Sequence, residues 1–321
     1  CLFVLRICIC SQAMQPSQQP SHKPRLSPPH KQSGPAGLPD CLWSPGEIFQ
    51  NIIPFCRCFC GPENYEPDQG WGSPEHQAHY IDAVDCLTAG RYEEAKRLLL
   101  ICLEQDSDNV NVLWRLGQVY DAKDDLTTAK MHLTTAVGID PDNFSARFEL
   151  GIVSHRKGDL HDAEFQLTEA ATLNPQSLDL WLRLGVLYLE MKQLDKAIRA
   201  NLKVVELDSQ NEVAFFMLGY VYHEMGQDDK AVENYLQAID LKADYADALL
   251  NLAVCYQERR DKKRDLQKAL DFYERALAVD SGLEDAAVAA AAIREYLEKK
   301  KKKAGGGKKS SFSRGSNKKR V

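Results

Sequence analysis

The 321-residue sequence contains no run of the roughly 18 to 20 apolar residues that a membrane-spanning helix needs, and a soluble protein is expected. Proline is almost missing from most of the chain. Twelve of the 14 prolines precede residue 76, and only Pro141 and Pro175 follow. Cysteine is similarly confined: of ten, seven lie in the first 60 residues, and only Cys86, Cys102 and Cys255 lie beyond, widely spaced on apolar helical faces. That spacing excludes a disulfide framework and points to buried thiols in a reduced, intracellular and cytoplasmic protein. Acidic residues are absent from Lys299 to Val321, where eleven are Lys or Arg. The rest carries 29 basic against 46 acidic residues, so a net charge of −6 conceals an acidic body with a basic tail.

These absences divide the chain into zones. Residues 1–75, with "QPSQQPSHKPRLSPPHKQSGP", have too many backbone breakers and too few apolar residues to order themselves, and a disordered leader is expected. The chain opens on Cys, with its first Met at Met14. The leader therefore reads as a fragment or as a stretch outside the native protein. "CLFVLRICIC" resembles a signal remnant only weakly, since Arg6 interrupts it and no small-residue cleavage pattern follows. "CRCFC", with Cys56, Cys58 and Cys60, could join Cys41 around zinc, could carry acyl chains, or could hold incidental thiols. Its one-residue spacing is shorter than a metal knuckle uses. Residues 301–321 should form a mobile basic tail, "KKKAGGGKKSSFSRGSNKKRV".

The remainder is periodic. "LWRLGQVY" at Leu113–Tyr120 returns at a stride of 34 as "RFELGIVS", "WLRLGVLY", "FFMLGYVY" and "LLNLAVCY". A second set shares the frame: "AKMHLTTAVGIDPDN" from Ala129, "AEFQLTEAATLNPQS" from Ala163, "AIRANLKVVELDSQN" from Ala197 and "AVENYLQAIDLKADY" from Ala231. Leu113, Leu116, Gly117 and Tyr120 share one helical face, as do Ala129, Leu133 and Ala136. Each unit is thus two amphipathic helices. Gly117 and Ala129 are small where the helices approach, and Asp140-Pro141 and Asn174-Pro175 stop the second helix. Two short helices cannot bury their own apolar faces, but stacked pairs can.

Trp181, Leu184, Gly185, Tyr188 and Ala197, then Phe215, Leu218, Gly219, Tyr222, Ala231, Tyr235 and Ala238, reproduce a known signature. The pattern resembles tetratricopeptide repeats, with Ser154 replacing the usual Tyr in one unit. The resemblance implies an all-α fold: a right-handed superhelical α-solenoid of stacked helix-turn-helix units with a C-terminal capping helix. Six units are delimited at 76–109, 110–143, 144–177, 178–211, 212–245 and 246–283, with the cap at 284–300. The first has Asp82-Ala83 in place of Leu-Gly, and the last has Ala253 for Gly and an insertion around "RRDKKRDLQ".

The resemblance further implies a noncatalytic scaffold that binds partner segments in a groove lined by the first helices. Carried onto this sequence, the lining is Trp114, Arg115, Gln118, Phe148, Asp179, Arg183, Val186, Phe216, Tyr220, His223 and Asn251. Its aromatics and arginines suit a peptide with apolar anchors and some acidic character. The alternative is that half of them pack between neighbouring first helices. The clamp by which some family members hold the acidic chaperone tail is not matched: Ile81, Arg115, Glu149, Arg183 and Met217 occupy its places, and only Asn251 fits. The basic tail offers a second route, to nucleic acid, to an anionic membrane or to a nuclear importer; Phe312 alone cannot stack bases. No cofactor or metal is expected for the body. His132, His155, His161 and His223 have no local nucleophile, and "AGGGKK" follows no strand as a phosphate loop would.

Overall fold

The computed structural model describes residues 73–259 and 265–306; the expectations for the proline-rich leader, "CRCFC" and the tail beyond Gly306 lie outside these residues. Within them, thirteen helices and no strands follow one another. They pair as α1 (Pro74–Thr88) with α2 (Tyr92–Gln105), α3 (Val110–Ala122) with α4 (Leu126–Ile139), and α5 (Phe144–Arg156) with α6 (Leu160–Leu173). Then come α7 (Leu178–Glu190) with α8 (Leu194–Leu207), α9 (Glu212–Glu224) with α10 (Asp228–Leu241), and α11 (Ala246–Glu258) with α12 (Leu266–Val279). A final helix, α13 (Glu284–Gly306), packs on α12. The described residues form an all-α solenoid of hairpins.

Short polar side chains start the helices. The Asn109 side chain accepts from the Val112 amide at 3.2 Å, and Asn143 and Asn211 cap α5 and α9 in the same way at 3.0 Å. Ser177 caps α7. A cap of this kind is worth about 1 kcal/mol. The turn inside each hairpin needs a left-handed backbone. Gly90, Gly158 and Gly226 supply it with φ of 72°, 84° and 69°. One and three units along the same column, Asp124 (φ 62°) and Lys192 (φ 57°) adopt it without being glycine, at a conformational cost of about 1–2 kcal/mol.

Within the four middle hairpins the helices close to a separation that leaves no room for a Cβ on Gly117, Gly151, Gly185 or Gly219, while Ala83 and Ala253 hold this place in the outer two. A Cβ placed on Gly219 would lie 2.7 Å from the Tyr235 ring, and one on Gly117 2.5 Å from Leu133. The apolar layer between helices is extended along the stack. One buried cluster runs from Phe148 to Ile293, and two smaller ones occupy the hairpins before it. First helices also touch the first helix of the next hairpin, so α1, α3, α5, α7, α9 and α11 form one row. Ion pairs tie successive hairpins: Lys130 to Asp159 and Asp162, both 2.7 Å, Lys196 to Glu164 at 2.7 Å, and Arg156 to Asp121 and to Asp124. Exposed pairs of this type add little stability; they fix the register of one hairpin on the next.

Two departures from the repeat pattern and one from the sequence expectation stand out. Ser154, in place of the usual Tyr, is fully buried and donates to Asp162 Oδ2 at 2.8 Å, a satisfied polar contact where others have a ring. The insertion near residue 260 lies between α11 and α12 and lengthens their connection, most of which lies outside the described residues. The expected cap at 284–300 is longer. The helix continues to Gly306, through Lys301–Lys303, which were assigned to the mobile tail. Lysine is a good helix former, cations favour a helix C-terminus, and Glu295 pairs with Lys299 one turn on at 2.6 Å.

One column breaks the packing rule. Opposite Gly185, where Leu133, Leu167 and Tyr235 stand in other units, lies Asn201. It is fully buried; its Nδ2 donates to the Ala197 carbonyl at 2.9 Å, and its Oδ1 has no partner. An unsatisfied buried acceptor costs about 1–3 kcal/mol. Asn201→Leu is therefore expected to stabilise the chain by about 1–2 kcal/mol, read as a higher urea midpoint at unchanged slope; a lower midpoint would refute this account of the site.

Candidate partner-binding face

The eleven residues expected to line a groove all lie on first helices, and the row divides them into two groups. Trp114, Arg115, Phe148, Val186, Phe216 and Tyr220 are buried. Phe216 is the extreme case, 0% exposed and in ring contact with Tyr235 and Tyr245 at 5.7 and 5.2 Å. Burial pushes the Tyr220 phenol up to about 12. These side chains are packed inside the stack. Gln118, Asp179, Arg183, His223 and Asn251 remain half-buried.

The polar members form a line across three helices. The Arg115 guanidinium stacks on the Trp114 ring, 4.0 Å from its centre, and its Nη1 donates to Gln118 Oε1 at 2.9 Å. Gln118 Nε2 donates to Glu149 Oε1 at 2.7 Å, crossing from α3 to α5. Arg183, on α7, pairs with Asp179 at 3.5 Å and is one of the charges that act on Glu149. Sequence reasoning missed Glu149 as a site residue. Its signal was present: it falls midway in the column Arg115, Glu149, Arg183, spaced by 34 and alternating in sign. Burial raises the Glu149 carboxyl above its ordinary range, helped by Asp121 and Asp179 and opposed by Gln118 and Arg183. Burial likewise raises Asp179, against Arg183. Two buried donors in this line, Trp114 Nε1 and Arg115 Nε, have no acceptor.

His223 and Asn251 lie further along the row. The Asn251 amide is turned onto its own helix, donating to the Asp247 carbonyl at 2.8 Å. His223, expected to have no nucleophile near it, has Cys255 Sγ 3.3 Å from its Nδ1, with Asp228 and Glu258 at 3.7 and 4.0 Å. The fold brings these together from α9, α10 and α11. Cys255 is 1% exposed, and burial raises its thiol far above the ordinary value, which holds it protonated. Cys86 and Cys102 are likewise free and buried. Among the described residues no group of His, Cys, Asp or Glu is arranged to hold a metal, and no helix is long and apolar enough to cross a membrane.

Family models described as tetratricopeptide repeat match residues 110–143, 154–214 and 248–287, and one described as TPR repeat matches 219–258. No curated protein matches the chain. Among solved structures, the chain is similar to YrrB, described as a TPR protein with an unusual peptide-binding site. The identity is 20% and the TM-score 0.52, over 60% of this chain and 96% of that one. It is also similar to MamA, at 23% identity and a TM-score of 0.50 over 55% and 93%. MamA 41-end from Desulfovibrio magneticus RS-1 gives 21% and 0.51 over 54% and 98%. At these identities the likeness is one of fold.

The position of Glu149 has a measurable consequence. Its folded-state pKa lies above the unfolded value, so the native state holds its proton more tightly. Stability from this group is then present below the unfolded pKa and declines as pH rises through the folded one. Glu149→Gln, which keeps an acceptor for Gln118, is expected to raise stability at neutral pH and flatten the profile above pH 4.5. Urea titrations from pH 4 to 8 that gave parallel curves for the two proteins would contradict the assignment.

Proposed function

The chain belongs to the tetratricopeptide repeat family, and from that premise we propose that it is a noncatalytic adaptor whose row of first helices receives a peptide segment of another protein. In this reading, residues 76–283 are six repeats forming the binding body, 284–300 close it, and 1–75 and 301–321 are appendages. The observation that carries the proposal is the polar line Arg115, Gln118, Glu149, Arg183 along the first helices, of which Gln118, Glu149 and Arg183 are only half-buried. A bound peptide would set Asp or Glu side chains against the half-buried Arg183 guanidinium, a charge-assisted contact. Half-buried Arg183 and Gln118 offer the polar contacts. YrrB, of the same fold, is described as having a peptide-binding site, which is consistent with such a use of the row.

A peptide array probed with the full chain tests this. Bound 12-mers are expected to be enriched in Asp or Glu beside an aliphatic or aromatic residue, and Arg183→Met should weaken them roughly tenfold. Circular dichroism controls for folding. Peptides without acids, or binding indifferent to Arg183→Met, would reject the acidic segment and this site.

One observation favours a second recruiting element. Lys299–Lys303 are exposed on α13 beyond its contact with α12, which presents concentrated positive charge at one end of an acidic body. Such a helix attracts phosphate-bearing surfaces, nucleic acid or an anionic membrane. Binding of the full chain to duplex DNA or to phosphatidylserine vesicles should fall steeply with salt and vanish on deletion of residues 299–321. Salt-insensitive binding, or binding that survives the deletion, would remove this element from the proposal.

A further inference from the structure

The first five hairpins, which share one 34-residue frame, provide an internal comparison for the outward faces of their second helices. At a stride of 34, the central outward position is Arg97 on α2, Met131 on α4, Phe165 on α6, Arg199 on α8 and Glu233 on α10. One turn before it stand Glu93, Thr127, His161, Asp195 and Asp229; two turns after it, Glu104, Gly138, Thr172, Glu206 and Asp240. Three helices are charged in all three columns. The two adjacent helices α4 and α6 carry no carboxylate, Lys or Arg in any of them, and place a large apolar residue at the centre. Met131 and Phe165 are 57% and 55% exposed, the most exposed large hydrophobic residues among those described. Neither is needed by the stack, since the same position is filled by charge elsewhere.

The surroundings of the two residues are prepared for burial. Thr135 Oγ1 donates to the Met131 carbonyl at 3.0 Å, Thr168 Oγ1 to the Glu164 carbonyl at 2.7 Å, and Thr172 Oγ1 to the Glu169 carbonyl at 2.7 Å. With their hydroxyl protons engaged by their own helices, these threonines turn methyl groups outward, and covering them forfeits little hydrogen bonding. The nearest charges are drawn aside: Lys130 is held by Asp159 and Asp162, and Glu164 by Lys196. Glu169 borders the face on α6.

We propose that this α4–α6 face is a self-association surface whose occupant is a second copy of the chain, joined about a two-fold axis between the two helices. The argument for a copy, and not a different partner, is charge. In a two-fold interface a patch meets itself, so any net charge opposes its own image. In the three columns compared, α2, α8 and α10 are acidic in sum and would resist this, although each also exposes a leucine (Leu100, Leu202, Leu236) one turn on; the α4–α6 face is neutral in those columns and does not. The two anchors stand one hairpin apart, on either side of the axis. Met131 of one copy therefore meets Phe165 of the second, a thioether against an aromatic ring, and the contact occurs twice. This surface is separate from the first-helix row and does not depend on the peptide reading.

Sedimentation equilibrium of the full chain tests the proposal. At about 100 μM, where a contact of weak-micromolar strength is populated, the chain is expected to be a dimer. Met131→Arg and Phe165→Glu should each weaken dimerisation by about 100-fold, since each places an unpaired charge against an apolar residue. Both substitutions copy residue types that α2, α8 and α10 carry at this position, so the fold should tolerate them; thermal unfolding checks this. An equimolar mixture of the two variants should regain a dimer. Residues 131 and 165 then form an ion pair in one contact, while Met131 meets Phe165 unchanged in the other. A wild-type monomer would overturn the proposal, whether the face is bare, covered by residues 1–72 or reserved for another protein. A dimer that persists in Met131→Arg, or a mixture that stays monomeric, would also overturn this interface.

Discussion

The approach of one helix to its hairpin partner, glycine against a large side chain, is the contact on which the other features depend. Gly117 meets Leu133, Gly151 meets Leu167 and Gly219 meets Tyr235 at separations that leave no room for a Cβ. That closeness brings the apolar faces of each hairpin together, and contacts between successive first helices carry the stack from one hairpin to the next. The arrangement distributes stability among neighbours instead of concentrating it in one centre. A defect such as buried Asn201 is then a local cost, borne by the units that touch it.

Because the stack specifies only some columns, the remaining columns are free to differ, and their differences carry the information about use. Buried positions repeat with little change of character: Ala, Leu, Gly and the second-helix Ala recur from unit to unit. Columns that the stack leaves open change sign or polarity between neighbours. Arg115, Glu149 and Arg183 alternate in charge along the first-helix row. Arg97 gives way to Met131 and Phe165, and these to Arg199, on the second helices. Repetition makes each hairpin a control for the others, which lets functional faces be separated from structural ones within one sequence.

The same logic explains what was legible before the structure. The 34-residue period, the Asp-Pro and Asn-Pro stops and the glycine column are local and periodic, so the helices and their pairing could be read directly. Polarity alone did not tell a groove residue from a seam residue. Phe216, Val186 and Trp114 lie on first helices as expected but are buried in the stack, Phe216 against Tyr235 of its own hairpin and Tyr245 at the start of the next, and only packing decides that. Lys299–Lys303 looked like a repelling run; in the chain it continues a helix already nucleated by the alanines of α13, a contribution that composition does not express. The pairing of His223 with Cys255 spans 32 residues and arises because both end up on first helices one hairpin apart. Glu149 was visible only as a failure to match a clamp, although its column neighbours gave its place away.

The two proposed surfaces draw on opposite sides of the same hairpins, and this bears on how an adaptor of this construction would work. Glu149 and Arg115 belong to hairpins whose second helices carry Phe165 and Met131. A copy docked on α4 and α6 covers the outward side of these hairpins and leaves the first-helix row open. Packed hairpins resist being pried apart, because the glycine contacts admit no expansion and few voids exist to absorb a shift. Holding α4 and α6 from outside therefore also holds α3 and α5, where the polar line begins. Two copies so joined would present two peptide-receiving rows at a fixed separation. A partner with two suitable segments would then be held more tightly than either segment alone, by effective concentration and without any new contact.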